Sequence, residues 1–327
     1  MRRREFITLL GGAAVGWPLI ARAQQAMSVI GFLSGATLEP MRERLGAFYQ
    51  GLAETGYQEN QNVTAEYRWA EGANDRLPGL AADLVRHQVA IIVVMGSTPG
   101  VLAVRAATQS IPIVYVIGTD PVQGGLAASL ARPGGNMTGV TTINVELIAK
   151  SVEMIHELVP TATTIALLVN PANPIQTETE TRRVQDAAHA LGLRVVILRA
   201  SNASELDSAF VTLVGERAGA LVVSGENFFT SQSDRLVALA AHYAVPTIYQ
   251  YRVFTAAGGL MNYGPEGVGA YRIVGGYAGR ILKGEKPGDL PVQQPTKYAL
   301  AINLKTATAL GLTIPPTLLA VADEVIE

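Results

Sequence analysis

The stretch that decides the fold is residues 90–121, which read AIIVVMGSTPGVLAVRAATQSIPIVYVIGTDP. The short β-branched run 91–95 ends abruptly at Gly96-Ser97-Thr98-Pro99. This pattern predicts a buried parallel strand followed by a helix, with Ser97 or Thr98 as the N-cap and Pro99 at the first helical position. A second strand at 113–117 then brings Thr119-Asp120-Pro121 to the same carboxyl edge of the sheet, where open α/β folds bind ligands.

This predicted edge offers groups of both signs. The unpaired N–H groups and the positive dipole end of a helix start favour an anion. The Asp120 carboxylate favours a cation, so the pair suits a zwitterion such as an amino acid. An ordinary capped strand-to-helix turn is the alternative interpretation of the same residues.

Composition limits the possible classes of protein. The 327 residues are 49% hydrophobic and 16% charged, which is enough for one large or two medium domains with complete cores. The chain has no cysteine, which excludes disulfides and thiol nucleophiles and is compatible with either the cytosol or the periplasm.

The first 23 residues differ from the rest of the chain. Arg2-Arg3-Arg4-Glu5-Phe6-Ile7 leads into a short apolar segment and then Ala21-Arg22-Ala23. A charged start, an apolar core and a small-x-small ending predict an export signal that is cleaved after Ala23, and the paired arginines resemble a twin-arginine signal. A membrane anchor is the alternative, but the apolar core is short and rich in glycine, and no later segment has 18 unbroken apolar residues.

The signal carries four of the 25 basic side chains and one of the 27 acidic ones, so the mature formal charge is −5. A mildly acidic protein without basic clusters is a poor candidate for binding nucleic acid or an anionic membrane surface. We therefore expect a small-molecule ligand, with no nucleic-acid partner and no membrane anchor in the mature chain.

From Met27 onward, strand-like and helix-like segments alternate in two successive sets of about 115 residues each. This alternation predicts an α/β protein of two lobes with parallel sheets. We expect 27–142 and 257–290 to form the N-terminal lobe, and 143–256 and 291–327 to form the C-terminal lobe. The chain would then cross three times between the lobes and form a hinge around a ligand cleft.

The sequence contains little that predicts catalysis. The four histidines, at positions 87, 156, 189 and 242, fall near the ends or on the polar faces of predicted helices. Neither the spacing of metal ligands nor a Gly-x-Ser-x-Gly or Gly-x-Gly-x-x-Gly motif occurs where a site would need it, so we expect no metal and no cofactor. Asp120 and Glu226 as an acid–base pair would be the enzymatic alternative.

The predicted ligand-binding residues follow the carboxyl ends of strands or lie near the hinge. Tyrosines are included because an aromatic ring with a polar tip suits a pocket that is partly apolar. The candidates are Ser34, Gly35, Gly96, Ser97, Thr98, Asp120, Pro121, Thr141, Thr142, Asn170, Glu226, Asn227, Tyr249, Tyr251 and Tyr263.

Several segments also resemble a known family. The most distinctive are Leu130-Ala-Arg-Pro-Gly-Gly-Asn-Met-Thr-Gly139, Asp289-Leu-Pro-Val-Gln-Gln-Pro295 and the tail Leu310-Gly-Leu-Thr-Ile-Pro-Pro-Thr-Leu-Leu-Ala-Val-Ala-Asp-Glu-Val-Ile326. Together they are similar to the ABC transporter substrate-binding proteins of the TrpX-like group, over essentially the whole mature chain.

The resemblance implies a type I periplasmic binding protein fold, with two Rossmann-like lobes and a ligand held between them. It also implies delivery of that ligand to ABC permease and ATPase subunits from the periplasm. The Gly96-Ser97-Thr98-Pro99 loop and the Asp120-Pro121 turn would then face the ligand. Glu226-Asn-Phe-Phe departs from the Asp-Pro-Phe-Phe pattern expected for the group, and Asn262 replaces a commoner serine, so the relatives' aromatic amino acids do not transfer directly. A periplasmic ligand sensor is the remaining alternative.

Overall fold

The computed structural model describes residues 27–265, 268–295 and 297–327. The predicted export signal at 1–23 and its cleavage site after Ala23 lie outside these residues. Within the described ranges, no helix has both the length and the apolar character needed to cross a membrane.

The first lobe is built on a five-stranded sheet. Its elements, in chain order, are β1 Ser28–Ser34, α1 Arg42–Ala53, β2 Val63–Trp69, α2 Leu77–Arg86, β3 Ile91–Met95, α3 Thr98–Ala107, β4 Ile113–Ile117 and β5 Met137–Thr141. The strand order is β2-β1-β3-β4-β5, and every neighbouring pair is parallel. All residues of β3 and β4 are buried, as the β-branched runs 91–95 and 113–117 predict for central strands.

The second lobe is built on a seven-stranded sheet. The remaining elements are α4 Asn144–Leu158, β6 Thr164–Val169, α5 Pro174–Ala190, β7 Arg194–Arg199, α6 Ala203–Gly215, β8 Ala220–Val223, α7 Asn227–Ser231, α8 Ser233–His242, β9 Thr247–Tyr249, α9 Arg252–Ala256, β10 Met261–Pro265, α10 Gly269–Leu282, β11 Tyr298–Asn303, α11 Leu304–Ala309, α12 Pro316–Ala320 and β12 Glu324–Ile326. The strand order is β12-β11-β10-β9-β8-β6-β7.

The last two strands of this sheet, β11 and β12, run opposite to the other five. Strand β11 pairs antiparallel to β10, with Met261 opposite Ile302, whereas the other pairs of this sheet are parallel. The reversal arises because the chain reaches β11 from the other lobe, and not through a helix that covers the same sheet.

The chain crosses between the lobes three times. It leaves β5 for α4, which packs on the second sheet, and it leaves β10 for α10, which packs against α1, β3, β4 and β5 of the first lobe. The third crossing follows Gln293, which forms a bridge with Val140 of β5 before the chain enters β11. Two mostly parallel α/β lobes joined in this way confirm the predicted fold class.

The C-terminal ranges contribute to both lobes. Of the range 257–290, which the sequence analysis gives to the first lobe, strand β10 pairs within the seven-stranded sheet while α10 completes the core of the five-stranded one. Of the range 291–327, Val292 packs in a core cluster of the first lobe and the two strands β11 and β12 lie in the second sheet. Strand β10 therefore belongs to the second lobe, because it pairs with β9 and β11.

Candidate functional site

A cavity lies between the two lobes, at the carboxyl ends of β3 and β4. It contains about 460 Å³ of atom-free space, counting the part that is open to solvent. Side chains or backbone from both lobes and from two of the crossings line it. The lining residues are Arg44, Gly96, Thr98, Val116, Ile117, Gly118, Thr142, Gln176, Gly225, Tyr251, Pro265, Ala270 and Tyr271.

The strand-to-helix turn after β3 forms one wall of this cavity. Ser97 is the N-cap of α3, because its hydroxyl oxygen accepts a hydrogen bond from the amide of Gly100 at 3.0 Å. Thr98 lies at the first helical position, where its N–H has no partner within the helix. Gly96 adopts φ +68°, and a Cβ there would lie 3.1 Å from the Tyr271 hydroxyl oxygen, so both backbone conformation and close packing require glycine.

The neighbouring turn at Asp120 does not line the cavity. Asp120 Oδ1 accepts hydrogen bonds from the amides of Val122 and Gln123 at 2.8 and 3.2 Å, so the carboxylate caps its own turn. The carbonyl oxygen of Pro121 accepts from Leu126 at 2.7 Å within the same loop. Asp120 and Pro121 are therefore not among the residues that line this cavity, because the turn folds back on itself.

Threonines connect this turn to the cavity wall. The hydroxyl oxygens of Thr98 and Thr119 are 3.1 Å apart, and Thr141 donates to the carbonyl oxygen of Thr119 at 2.7 Å. Thr142 lines the cavity and donates its hydroxyl to the carbonyl oxygen of Ile117 at 3.1 Å. Thr141 itself is fully buried and supports the wall from behind.

In the second lobe, Glu226 is held by donors from several elements. Its Oε2 accepts from the amide of Phe228 at 2.7 Å and from Asn170 at 3.2 Å. Its Oε1 accepts from Asn173 at 3.4 Å and from Asn74 of the first lobe at 3.3 Å. Glu226 thus caps α7 and joins the lobes, and neither it nor Asn170 is among the residues that line the cavity.

Further contacts join the lobes directly. Asn227 donates its side-chain amide to the carbonyl oxygen of Gly96 at 2.8 Å, and Ser231 accepts from the amide of Thr37 at 3.3 Å. Gly35 faces Asn227, since a Cβ on Gly35 would lie 3.1 Å from its side-chain nitrogen. Ser34, next to it, donates to the carbonyl oxygen of Met95 at 3.3 Å and is buried inside the first lobe.

The three predicted tyrosines have different surroundings. Tyr249 is buried in the core and stacks on Phe254 at 4.4 Å between ring centroids. Tyr263 packs on a core cluster of the second lobe and borders an outer groove beside Lys150. Only Tyr251 lines the interlobe cavity, where burial raises the pKa of its hydroxyl and where that hydroxyl donates to the carbonyl oxygen of Gly225 at 3.3 Å.

Sequence reasoning missed the cation of the site, Arg44. Its guanidinium carbon lies 5.0 Å from the ring centroid of Tyr251 and 5.6 Å from that of Tyr271, so it stacks between rings from both lobes. It forms no ion pair with a carboxylate among the described residues. In the sequence Arg44 looks like part of the solvated face of α1, and its spacing from Leu45 and Phe48 gives no sign of a buried partner.

A second missed group is the buried polar cluster behind Gln176, which also lines the cavity. Glu180 is fully buried, and its Oε1 accepts from Gln176 at 2.9 Å and from Gln250 at 3.3 Å. Glu180 Oε2 and Gln250 Oε1 have no hydrogen-bond partner. Burial raises the pKa of Glu180 to about 7, against the opposing effect of hydrogen bonds from Ser224, Gln176 and Gln250.

The described residues contain no group of three or more His, Asp or Glu side chains placed to hold a metal ion. The two carboxylates of the enzymatic alternative, Asp120 and Glu226, are both occupied as hydrogen-bond acceptors in their own loops. The arrangement is therefore suited to enclosing a small molecule, with a cation and a helix N-terminus on the wall and tyrosine rings beside them.

Comparisons with known proteins agree on one group. The family model described as ABC transporter substrate binding protein matches residues 26–326. A tyrosine-binding protein of Clostridioides difficile (strain R20291) is 28% identical over 269 residues, which is 81% of this chain and 75% of that protein.

Solved structures give the same result. An ABC domain in complex with L-Trp from Streptococcus pneumoniae is 27% identical and superposes with a TM-score of 0.81, covering 91% of this chain and 99% of that one. A periplasmic binding protein/LacI transcriptional regulator from Alkaliphilus metalliredigens, complexed with D-xylulofuranose, is 13% identical with a TM-score of 0.57 over 84% of this chain and 97% of that one. The latter likeness concerns the fold alone.

Proposed function

The chain belongs to the family of ABC transporter substrate-binding proteins, and on that basis we propose that it captures a small carboxylate-bearing or zwitterionic molecule between its lobes. An amino acid or a related compound, aromatic or not, is the ligand class that we propose. The protein would work in the periplasm after export by the twin-arginine signal at 1–23, and would pass its ligand to the permease and ATPase subunits of an importer.

The observation that carries this proposal is the cavity between the lobes, with Arg44 and the N-terminus of α3 on its wall. A guanidinium binds a carboxylate through paired N–H groups, and the free amides of a helix start add to the attraction. Tyr251 and Tyr271 provide flat apolar surface beside this charge. We propose that Gly96, Ser97, Thr98, Thr142 and Tyr251 from the sequence prediction act together with Arg44 and Tyr271 at this site.

Closure of the lobes is the motion that we propose for ligand capture. Three crossings form a hinge, and residues such as Asn227 and Asn74 reach across the cleft to the opposite lobe. A ligand that contacts both walls binds the closed state better than the open one, and this difference in affinity drives the equilibrium toward closure. The relatives that bind tyrosine and tryptophan are consistent with such a cleft, and their ligands define the first compounds to test.

Thermal-shift measurements on the mature chain with amino acids and aromatic acids test the proposal. A ligand that binds only the native state at 100 times its Kd stabilises it by about 2.7 kcal/mol and raises the melting temperature by several degrees. We expect Arg44→Gln to reduce this shift, because it removes the cation of the wall. Arg280→Gln is the matched control, since Arg280 also stacks on a tyrosine, at 5.7 Å from the ring centroid of Tyr277, but lies outside the cavity.

Two results would contradict the proposed function. The first is the absence of any saturable shift with carboxylate-bearing compounds at millimolar concentration. The second is chemical turnover of a bound compound, which would favour an enzyme over a receptor. Uptake of the bound compound by cells with and without this chain then distinguishes transport from sensing.

A further inference from the structure

The described residues of the cavity wall carry charge of only one sign. Arg44 is the only charged side chain among the described residues that line the cavity, and no lining residue is an aspartate or a glutamate. The other lining groups are threonines, an amide, tyrosine rings, apolar side chains and glycine or proline backbone. Among the described residues of this wall, a ligand therefore meets one cation and no carboxylate.

The carboxyl groups nearest to the cavity do not line it. Glu226 accepts four hydrogen bonds, from Phe228 and three asparagines. Glu180 is fully buried behind Gln176, and burial raises the pKa of its carboxyl to about 7. Glu39 and Glu43 border a second groove, which Arg44 and Tyr251 also line.

The carbonyl oxygens of the wall are also occupied. Gly96 accepts from Asn227, Gly225 accepts from Tyr251, and Ile117 accepts from Thr142. The carbonyl oxygen of Val116 accepts from the amide of Gly96 at 3.0 Å. An ammonium group carries three N–H donors that need acceptors when they leave water, and this wall offers few with a free direction.

By contrast, the wall has hydrogen-bond donors that could bind an anion. Arg44 has five N–H donors, of which the contact to the Met41 sulfur at 3.6 Å uses one weakly. The Thr98 amide and hydroxyl lie at the positive end of α3, and Thr98 also lines the cavity. The two tyrosine rings that hold Arg44 also reduce its contact with water, which strengthens its attraction for a carboxylate.

We propose that the ligand of this cavity is a small organic monocarboxylate that carries no ammonium group, held by Arg44 and Thr98 with its body against Tyr251 and Tyr271. This inference rests on the proposed function and narrows its ligand class. An α-amino group on such a ligand would lose its hydration without gaining a carboxylate partner, and it would lie in the positive field of Arg44. The amino acids of the relatives would then bind this chain less well than their deaminated counterparts.

Matched compounds test the inference by isothermal titration calorimetry on the mature chain. The compounds are three carboxylic acids, each titrated beside the amino acid that has the same side chain. The pairs are 3-phenylpropionate with L-phenylalanine, 3-(4-hydroxyphenyl)propionate with L-tyrosine, and indole-3-propionate with L-tryptophan. We expect at least one acid to bind at least tenfold more tightly than its amino acid, which is 1.4 kcal/mol. Phenethylamine, which keeps the ammonium and lacks the carboxylate, is expected not to bind.

Variants of the cation test the geometry. Arg44→Gln is expected to reduce the affinity for the acid at least tenfold. Arg44→Lys keeps the charge but loses the planar stacking, and it is expected to reduce the affinity by less. Arg280→Gln is expected to leave the affinity within twofold of wild type. Circular dichroism and the melting temperature of each variant show that it remains folded.

The outcomes separate the inference from the proposed function. Tighter binding of each amino acid than of its acid overturns the inference while the proposed function stands. Acid binding that Arg44→Gln leaves unchanged overturns it as well, because the anion is then held elsewhere. Failure of all six carboxylates to bind overturns the inference, which places the body of the ligand against the two tyrosine rings. The proposed function is refuted only if the wider thermal-shift screen of carboxylate-bearing compounds gives no saturable shift either.

Discussion

Replacing Glu180 with glutamine should make the protein more stable at alkaline pH. Glu180 is fully buried, and its pKa of about 7 stands above the ordinary value of 4.5, chiefly because burial disfavours the charged form. The nearby carboxylate of Glu226 acts in the same direction. Between the two pKa values the native state binds more protons than the unfolded chain, so the free energy of unfolding falls as pH rises from about 4.5 to about 7 and stays low above that.

The size of the effect follows from the two pKa values. The difference between the pKa values of 4.5 and about 7 corresponds to a loss of roughly 3 kcal/mol in the free energy of unfolding, at 1.36 kcal/mol per pKa unit. Glutamine has nearly the shape of a protonated glutamate, and its amide has donors for the unpartnered Gln250 Oε1. We therefore expect Glu180→Gln to match wild type within about 1 kcal/mol at pH 5 and to exceed it by roughly 3 kcal/mol at pH 8.5.

Urea unfolding of wild type and variant at the two pH values measures this difference. Groups that titrate in both proteins cancel in the comparison. Glu216→Gln is the control, because Glu216 is an exposed carboxylate, paired with Arg194, whose ion pair contributes at most about 1 kcal/mol. An equal difference between wild type and Glu180→Gln at both pH values would refute the reasoning, since a purely structural effect of the amide does not depend on pH.

Two further predictions concern packing and closure. Gly275→Ala should lower the free energy of unfolding by about 3 kcal/mol or prevent folding, because a Cβ there would lie 2.0 Å from the carbonyl oxygen of Phe48 in α1. Gly276→Ala, the control on the same helix, has no atom nearer than 3.9 Å and should be neutral or stabilising in the same urea assay; equal losses in both variants would contradict the packing argument. Asn227→Ala should weaken ligand binding roughly fivefold by removing about 1 kcal/mol of hydrogen bonding to Gly96 across the cleft. In small-angle scattering without ligand, the Asn227→Ala variant should have a larger radius of gyration than wild type. An unchanged radius together with an unchanged affinity would show that this hydrogen bond does not stabilise closure.

Local sequence signals determined the architecture. The β-branched runs 91–95 and 113–117, the capped turn at Ser97 and the alternation of strands and helices depend on neighbours within a few residues, and the structure has them where the sequence predicts. These signals also placed Gly96, Thr98 and Thr142 at strand ends, and all three line the cavity. The ends of parallel strands meet at one edge of a sheet, so position along the chain is enough to bring such residues to the cavity.

Side-chain direction and long-range pairing were decided only by the tertiary structure. Tyr249 and Tyr251 are two residues apart, yet the first ends a buried strand in the core and the second follows it into the cleft. Asp120 follows β4 along the chain as predicted, but its carboxylate accepts hydrogen bonds within its own turn and does not line the cavity, and the path of the following loop decides this. Arg44 and Tyr271 meet Tyr251 only because α10 returns from the second lobe to pack on α1, and a contact between residues more than 200 positions apart leaves no periodic trace in either segment.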